Sequence, residues 1–544
     1  MEHTHKLRLT LIFFICSTLS LLGIINLYSL QIRKHTFFTN LGNQQYHVSI
    51  TTYPPRSSIL DRHGNPLALN KDSISAFMLP RTIKDSRMLK NILRHNFPDA
   101  LTRLLNKPHQ HFLYIKRRLS PEELNTLEQK HCKDIHLLTE PSRFYPIAEA
   151  GPLIGITDTD NKGLFGIEFL YNTDLIGQPS TTILERDARS GKFYFSKHIQ
   201  EEGRSGKTIQ LTIDVNLQFL IQEAVSETMH IFDSHEGGAL VMDPETGDIL
   251  AIATFPTFDP NKPQDIVINN TKCRPITDTY EFGSVMKTFC ALAAIDEKVV
   301  TPDEEINCMG VKTVILEGRT INTVPQSVLG IASFKDIIKK SNNIGIAKVA
   351  KRVGTKLYDH YQRVGFGTKT GIPFPGEQSG FIMPPSSWSK QSIISLSYGY
   401  EINVSLLQLA RAFCIFSNDG YLIAPRLLLN QKTPPPLRIY SSETITTMRE
   451  ILEKTSTKGA GKYGAIEGYT CMGKTGTANL LDHGVYNPHK NLFCYVGSIE
   501  KGNYKRVIAC YVKEAKKHGL YAATVAAPLF QKIAEILVIH DKIW

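Results

Sequence analysis

The chain has 544 residues, 42% of them apolar, and a formal net charge of +11. This length predicts roughly two to four domains with a large core, and the scattered Lys and Arg, without a long basic run, favour an anionic cell envelope over a nucleic-acid partner. The nine cysteines have no C-x-x-C or Cys/His ligand spacing, which argues against a metal site or a small disulfide framework. We predict that most of them are buried as small apolar residues.

The first element in chain order is an apolar run over residues 9–30, preceded by Lys6 and Arg8. It is long enough for one transmembrane helix. Because we find no convincing small-x-small cleavage site, we predict an uncleaved anchor, with a cleaved signal peptide as the alternative. The positive residues favour a cytoplasmic tail at 1–8, so that the remainder lies outside the cytoplasm.

Residues 40–205 are predicted to form a first domain. Residues 53–68 read as strand, turn and strand, with His63-Gly64-Asn65 as the turn. Amphipathic helical patterns follow over 82–130, and Ser120 with Glu123 predicts a capping box at one helix start. We find no catalytic cluster here, so the sequence indicates a spacer or docking body.

Residues 206–544 are predicted to form an α+β domain. Apolar strand-like runs occur in two pairs near its two ends, and helical patterns lie between the pairs and after them. Such a layout predicts one sheet that combines strands from both ends of the domain. The strands are 237–243, 248–254, 491–497 and 506–512, and the helical segments are 284–295, 334–353, 404–416 and 522–538.

Ser284 and Lys287 form an S-x-x-K pair in this domain. If a helix opens at Gly283, the two side chains share one face, since they lie nearly one turn apart. A serine hydroxyl needs a base at neutral pH, and a lysine serves as one when burial or a second cation keeps it neutral. The pair therefore predicts a nucleophile and its base, while the alternative for an isolated match is a solvated helix face.

Ser341-Asn342-Asn343 is an S-x-N triplet. From a loop between helices, the Ser341 hydroxyl and the Asn343 amide can both face a cleft. The alternative is a plain helix cap or turn, since Ser and Asn favour both.

Lys474-Thr475-Gly476-Thr477 is predicted to lie on an edge strand. Alternation would point Lys474 and Gly476 to one side and the two threonines to the other, with twist or a bulge bringing a threonine back to the site. Gly476 would let a ligand lie against the backbone.

Residues 468–475 also match the P-loop pattern G-x-x-x-x-G-K-[ST]. A P-loop needs a helix directly after it and a later acidic Mg²⁺ ligand. The residues that follow Thr475 are poor helix formers, so we consider an ATPase the weaker interpretation.

The three motifs occur in the order typical of penicillin-binding proteins and serine β-lactamases. With these motifs and several further segments, the chain resembles a class B, monofunctional penicillin-binding protein, a peptidoglycan D,D-transpeptidase, most like the division-specific septal type. The elongation type is the alternative. Two residues depart from the family pattern: Phe282 stands where Pro is usual and Ser57 where Gly is usual. The further segments are 56–68, 143–146, 163–168, 238–261, 365–367, 375–377, 397–400 and 406–411.

The resemblance implies an α+β fold with three parts. These are a single transmembrane helix at 9–30, an elongated, mainly-β pedestal or dimerisation-type domain at 40–205, and a transpeptidase domain at 206–544. The last is an antiparallel sheet flanked by helices, as in serine β-lactamases. No amino-terminal glycosyltransferase domain is expected.

The resemblance also implies the roles of the site residues. Ser284, Lys287 and Ser341 would be catalytic, and Asn343, Lys474, Thr475, Gly476 and Thr477 would bind substrate, with no metal or cofactor. Peptidoglycan stem peptides would be substrates and β-lactams inhibitors. Implied partners are a membrane glycan polymerase and other division proteins. A silent scaffold and a β-lactamase or sensor are the competing hypotheses.

Overall fold

The computed structural model describes residues 2–186, 193–459, 461–517 and 521–542. Its α-helices are α1 Glu2–Tyr28, α2 His35–Tyr46, α3 Ser86–Asn96, α4 Pro98–Asn106, α5 Pro121–Lys130, α6 Gly151–Ile154, α7 Gly166–Leu170, α8 Asn172–Ile176, α9 Val215–Phe232, α10 Arg274–Thr277, α11 Lys287–Asp296, α12 Phe334–Lys339, α13 Asn343–Val353, α14 Lys356–Arg363, α15 Ser392–Ser397, α16 Leu406–Phe413, α17 Ser442–Lys458 and α18 Ala522–His540.

Its strands are β1 His47–Thr52, β2 Ile59–Leu60, β3 Pro66–Met78, β4 Leu113–Lys116, β5 His136–Phe144, β6 Ser180–Arg186, β7 Phe193–Glu201, β8 Ile209–Gln210, β9 Glu236–Met242, β10 Ile249–Phe255, β11 Glu305–Asn307, β12 Thr313–Leu316, β13 Arg319–Asn322, β14 Ile331–Ser333, β15 Phe381–Ile382, β16 Ile402–Asn403, β17 Tyr421–Leu422, β18 Leu437–Arg438, β19 Thr470–Asp482, β20 Val485–Lys501 and β21 Tyr504–Lys513. The chain divides into two compact units, one of residues 1–56 and 176–206, the other of residues 57–175 and 207–544.

The first unit contains the apolar N-terminal helix. Its span His5–Arg33 is long and apolar enough to cross a membrane, and none of the tested window is buried against protein. Lipid is the environment that such an exposed apolar surface requires. The same unit holds a three-stranded antiparallel sheet in the order β1-β6-β7.

The second unit begins with the predicted strand, turn and strand. β2 and β3 pair as a hairpin, and the Asp61 carboxylate accepts hydrogen bonds from the backbone N–H groups of His63 and Asn65 in its turn. β3 also pairs with β4 and β5, and α3 and α4 pack beside this sheet. The capping box of Ser120 and Glu123 is present at the start of α5, as predicted.

A five-stranded antiparallel sheet in the order β10-β9-β21-β20-β19 forms the centre of residues 207–544. The two predicted strand pairs are confirmed, and β21 pairs with β9, so the sheet does combine both ends of the domain. Alternate residues of the strands enter two separate cores, since Leu240 packs with α11 and α16 while Ala239 packs with α9 and α18. β19 is the edge strand, and its outer side is free to take part in a site.

Two predicted helical segments differ in detail from the structure. A 3₁₀ turn, Gly283–Met286, precedes α11, whose residues 287–294 are all buried. The segment 334–353 is broken into α12 and α13 at the S-x-N triplet. α18 is apolar enough to cross a membrane, but half of it is buried in the second core, which makes it a core helix.

Candidate active site

The turn that carries Ser284 is wedged against strand β19. Gly283 has φ +56°, and a Cβ atom there would lie 2.5 Å from the Thr477 carbonyl oxygen. A Cβ at Gly476 would lie 2.1 Å from the Phe282 carbonyl oxygen. The two backbones therefore approach so closely that both positions require glycine. This contact fixes Ser284 beside the edge strand.

Phe282 explains how the departure from the family pattern is accommodated. Its ring is buried and meets the rings of Tyr280 and Tyr511 edge-on, with centroids 6.0 and 6.5 Å away. Its φ of −92° is within reach of any residue. An aromatic side chain thus anchors the start of the turn by packing, where proline would do so by a fixed φ.

Ser57, the second departure from the family pattern, donates its backbone N–H to the Leu175 carbonyl at 2.8 Å.

Lys287 follows the turn as the first residue of α11 and is fully buried. Its Nζ lies 2.7 Å from the Ser341 carbonyl oxygen, 3.1 Å from Ser341 Oγ and 2.5 Å from Asn343 Oδ1. The S-x-x-K and S-x-N motifs are therefore brought into direct contact, as the sequence hypothesis requires.

Ser341 occupies the turn between α12 and α13 in a left-handed conformation, φ +58°. This is uncommon for a non-glycine residue and is typical of functional sites. Asn342, not Ser341, is the helix cap, since its side chain accepts from the Gly345 backbone N–H. The capping alternative therefore applies to the middle residue of the triplet, which leaves Ser341 and Asn343 to face the cleft.

Lys474 completes the cluster from β19. It is fully buried, and its Nζ donates to Ser341 Oγ at 3.0 Å and to the Thr475 carbonyl at 2.9 Å. The strand runs unbroken from Thr470 to Asp482, with no helix after Thr475. The P-loop interpretation is therefore wrong, because its phosphate-binding turn and helix are replaced by an extended edge strand.

Burial sets the charge state of the two lysines. Desolvation, followed by the nearby Lys474 charge, holds the pKa of Lys287 well below its usual value. Desolvation alone lowers the pKa of Lys474 to about 7. Both burial and the neighbouring Lys474 charge therefore favour the neutral amine of Lys287, the form that can act as a base.

Two cavities meet at Ser284. The first, about 350 Å³, is lined by at least one residue from each of the three motifs and by the start of α18. The second, about 260 Å³, opens between the β12–β13 hairpin and a group of tyrosines. Ser284, Asn343, Thr477 and Asn479 line both. The first cavity adds Val324, Gln326, Ser327, Ser341, Thr475, Pro488, Asn491, Tyr521, Ala522 and Ala523, and the second adds Arg319, Thr320, Ile321, Asn322, Tyr398, Tyr400 and Tyr486.

The sequence motifs did not indicate the residues that line the second cavity alone. Arg319 and Asn322 lie on a short hairpin with no catalytic motif, and Tyr486 on a strand beyond the third motif. Only Tyr398-Gly-Tyr400, a segment of the family resemblance, gave any signal. Their convergence depends on chain folding, because 167 residues separate Arg319 from Tyr486 in sequence.

A larger cavity, about 650 Å³, lies elsewhere, with Phe416, Ser417 and Arg449 in its wall. None of the motif residues lines it. Cavity size alone does not identify an active site, and the cluster of buried amines and hydroxyls beside the Ser284 turn makes the smaller cavities the candidates.

Comparison with known proteins gives two family matches. Residues 237–535 match a family model described as penicillin binding protein transpeptidase domain. Residues 51–211 match one described as penicillin-binding protein dimerisation domain.

Individual relatives extend over most of the chain. A probable peptidoglycan D,D-transpeptidase PenA of Neisseria meningitidis is 29% identical over 514 residues, which cover 93% of this chain and 87% of the relative. The peptidoglycan D,D-transpeptidase FtsI of Escherichia coli is 27% identical and covers 88% and 82%. Penicillin binding protein 3 of Mycobacterium tuberculosis, solved with aztreonam, has a TM-score of 0.71 at 23% identity, covering 91% of this chain and 98% of that one. That likeness shows the fold.

Proposed function

This chain belongs to the penicillin-binding protein transpeptidase family, and on that premise we propose that it cross-links peptidoglycan stem peptides through an acyl-enzyme on Ser284. One observation carries the proposal. Three distant segments bring Lys287, Ser341 and Lys474 into one hydrogen-bonded cluster beside the Ser284 turn. Such a cluster of a hydroxyl with one amine neutral and one charged is what serine acyl transfer needs.

In the first step Ser284 Oγ bonds to the carbonyl carbon of the penultimate D-Ala of a stem peptide. Its proton passes to neutral Lys287, one turn further along the chain. General-base assistance of this kind contributes about 100- to 10,000-fold to rate. Low pKa is essential to the role, since a lysine that stayed protonated at neutral pH would have no lone pair to offer.

Lys474 and Ser341 serve the leaving group. The C–N bond to the terminal D-Ala breaks, and Ser341 relays a proton to the departing nitrogen. The position of Ser341 Oγ, 3.1 Å from one lysine Nζ and 3.0 Å from the other, supports this relay. The Lys474 charge also keeps Lys287 neutral and attracts the terminal carboxylate of the donor, which Thr475 and Thr477 hold by hydrogen bonds.

The backbone N–H groups of Ser284 and Thr477 form the oxyanion hole, which stabilises charge as it develops on the carbonyl oxygen. The close approach of Gly283 to the Thr477 carbonyl supports this pairing. Asn343 binds the donor's peptide amide. An amine of an acceptor peptide then attacks the ester, which forms the cross-link and returns the proton to Ser284 Oγ. The steps need no metal or organic cofactor.

The protein is membrane-anchored, and we assign the anchor a single crossing, with residues 1–8 cytoplasmic and the transpeptidase domain at 206–544 outside. The positive residues before the apolar run support that orientation. We propose septal wall synthesis as the role, with a glycan polymerase and other division proteins as partners. Depletion tests this assignment: filamentous cells support it, and spherical cells assign the protein to elongation instead.

Fluorescent penicillin tests the chemistry. Wild-type protein should be labelled covalently, and Ser284→Ala should not be labelled at all. Ser387→Ala is the matched control, because Ser387 also precedes a lysine by three residues but is exposed and outside the cluster. Equal labelling of wild type and Ser284→Ala removes Ser284 as nucleophile, and absence of label on both favours a silent scaffold.

A further inference from the structure

The second cavity at Ser284 is positioned to receive the part of the donor peptide that precedes the reacting D-Ala. This step rests on the proposed function. The first cavity alone contains Ser341 and Thr475, which attend to the leaving D-Ala and its carboxylate, while Thr477 lines both cavities. The second contains neither Ser341 nor Thr475 but shares Ser284. Since the scissile bond lies at Ser284, the chain on its other side enters the second cavity.

Arg319 lines this cavity, and its two terminal guanidinium nitrogens are available for hydrogen bonds. Its Nε donates to the Tyr398 hydroxyl at 2.9 Å, and its guanidinium lies 5.8 Å from the centre of that ring. Within the described part of the chain it forms no salt bridge, so its two terminal nitrogens keep their hydrogen-bonding capacity. A guanidinium held at Nε with both terminal nitrogens available is suited to bidentate binding of a carboxylate.

The hairpin that carries Arg319 is held by several contacts. Ile321 is buried in a small core with Tyr398. The Asn322 carbonyl accepts a hydrogen bond from Asn343 Nδ2, and Lys351 forms a salt bridge with Glu317 in the hairpin turn. Arg319 is therefore tied through Asn343 to the catalytic cluster and is not a mobile surface arginine.

A second group in the cavity suits an amine. The Tyr486 hydroxyl donates to Glu281 Oε1 at 3.0 Å, and that carboxylate oxygen also accepts from the Glu401 backbone N–H at 2.9 Å. Tyr486 thus has its hydrogen committed and its oxygen lone pair free to accept from an ammonium. Burial raises the pKa of Glu281 to about 6, so it is largely ionised at neutral pH and reinforces the attraction for a cation.

We propose that the second cavity binds a donor side chain ending in an amine and a carboxylate on one carbon, with Arg319 holding the carboxylate and Tyr486, backed by Glu281, the amine. Such a side chain is that of meso-diaminopimelate at the position before the reacting D-Ala. Lysine is the same side chain without the carboxylate, and it would leave Arg319 without a partner.

The test compares three donors that differ only at this side chain: meso-diaminopimelate, its side-chain carboxamide, and lysine. Each is a D-Ala-D-Ala peptide, and kcat/KM is measured as D-Ala release by the full-length protein in detergent. A hydrogen-bonded ion pair is worth about 10- to 100-fold, so the wild type should prefer meso-diaminopimelate over the other two by that factor. Arg319→Gln should bring the preference close to one.

Two further variants separate recognition from structure. Arg319→Lys keeps the charge but loses the bidentate fork, so it should retain part of the preference. Lys312→Gln removes a charge from an exposed position before the same hairpin, outside the cavity, and should leave the preference unchanged. Because each preference is a ratio within one enzyme, a partly unfolded sample does not alter it.

A wild type that binds penicillin at Ser284 but treats the three donors alike overturns this inference and leaves the proposed function intact. So does an Arg319→Gln protein that keeps the wild-type preference, or one that slows all three donors equally. A wild type that neither binds penicillin nor releases D-Ala overturns the proposed function and this inference with it.

Discussion

The region at residues 57–175 and the catalytic cleft both bury cations, but they do so in opposite ways. Arg143 is 1% exposed and pairs at 2.6 Å with Glu168, which is fully buried. Lys287 and Lys474 are equally buried, yet their contacts within the described residues are hydroxyl, amide and carbonyl oxygens without a carboxylate. A matched ion pair keeps its charges and holds structure together, whereas an unmatched amine gives up its proton and gains reactivity.

The largest effect is expected from removing the unmatched amine. Lys287→Met should slow penicillin acylation about 100- to 10,000-fold, because the base is lost. The midpoint of thermal unfolding should not fall, since an apolar side chain of similar length fits a site that disfavours charge. Stopped-flow acylation and thermal melts measure the two effects. Lys390→Met, at an exposed lysine, is the control, and a Lys287→Met rate within tenfold of wild type contradicts the role of Lys287.

Breaking the matched pair should have the reverse outcome. Arg143→Met removes the cation that is paired with the buried Glu168 carboxylate and should lower the free energy of unfolding by about 3–5 kcal/mol. Acylation per folded molecule should remain near wild type. Denaturant melts measure the free energy of unfolding, and active-site titration measures acylation per folded molecule. Lys116→Met is the control: it removes a partly exposed salt bridge with Glu123 and should lower the free energy of unfolding by less than about 1 kcal/mol. Equal costs for both pairs would show that burial does not distinguish them.

The pH dependence of acylation tests whether Lys474 acts in its charged form. The second-order rate constant of acylation reports the free enzyme, in which Lys474 has a pKa of about 7. As pH rises through that value the Lys474 charge is lost, so acylation by a carboxylate-bearing penicillin should decline toward about tenfold per pH unit. Lys474→Arg keeps its charge, so its residual activity should lack this alkaline limb. A wild-type profile flat from pH 6 to 9 argues against the role of Lys474.

The smallest effect is expected at Glu281, a partly buried carboxyl that forms no salt bridge within the described residues. Burial raises its pKa from 4.5 to about 6, so the stability it contributes is fully present below pH 4.5 and is lost as pH rises through about 6. Full ionisation costs about 2 kcal/mol. Glu281→Gln keeps an oxygen acceptor and avoids that cost. Its melting temperature should exceed that of wild type at pH 7.5, with the gap closing by pH 4.5; a gap independent of pH would contradict this.

Local sequence patterns were sufficient to predict many of the helices, strands and turns of this protein. The capping box at Ser120, the paired runs that became β9–β10 and β20–β21, and the helix start at Gly283 each depend on residues close together in sequence. The second cavity was beyond such patterns, because Arg319, Tyr398 and Tyr486 belong to three short elements with ordinary composition. The sequence also left open which residue of the S-x-N triplet caps the following helix, and the structure shows that it is Asn342.

The sequence by itself determined which side chains are available for chemistry and in what order, since hydroxyls, amines and glycines at fixed spacing specify a nucleophile, its base and close backbone contacts. Only the tertiary structure decided that Lys287 and Lys474 are fully buried on either side of Ser341, with no carboxylate among their contacts in the described part of the chain. The physical reason is that a lysine's charge state depends on its solvation and on every neighbouring charge, and Ser341, which contacts both amines, lies more than fifty residues from each of them in sequence.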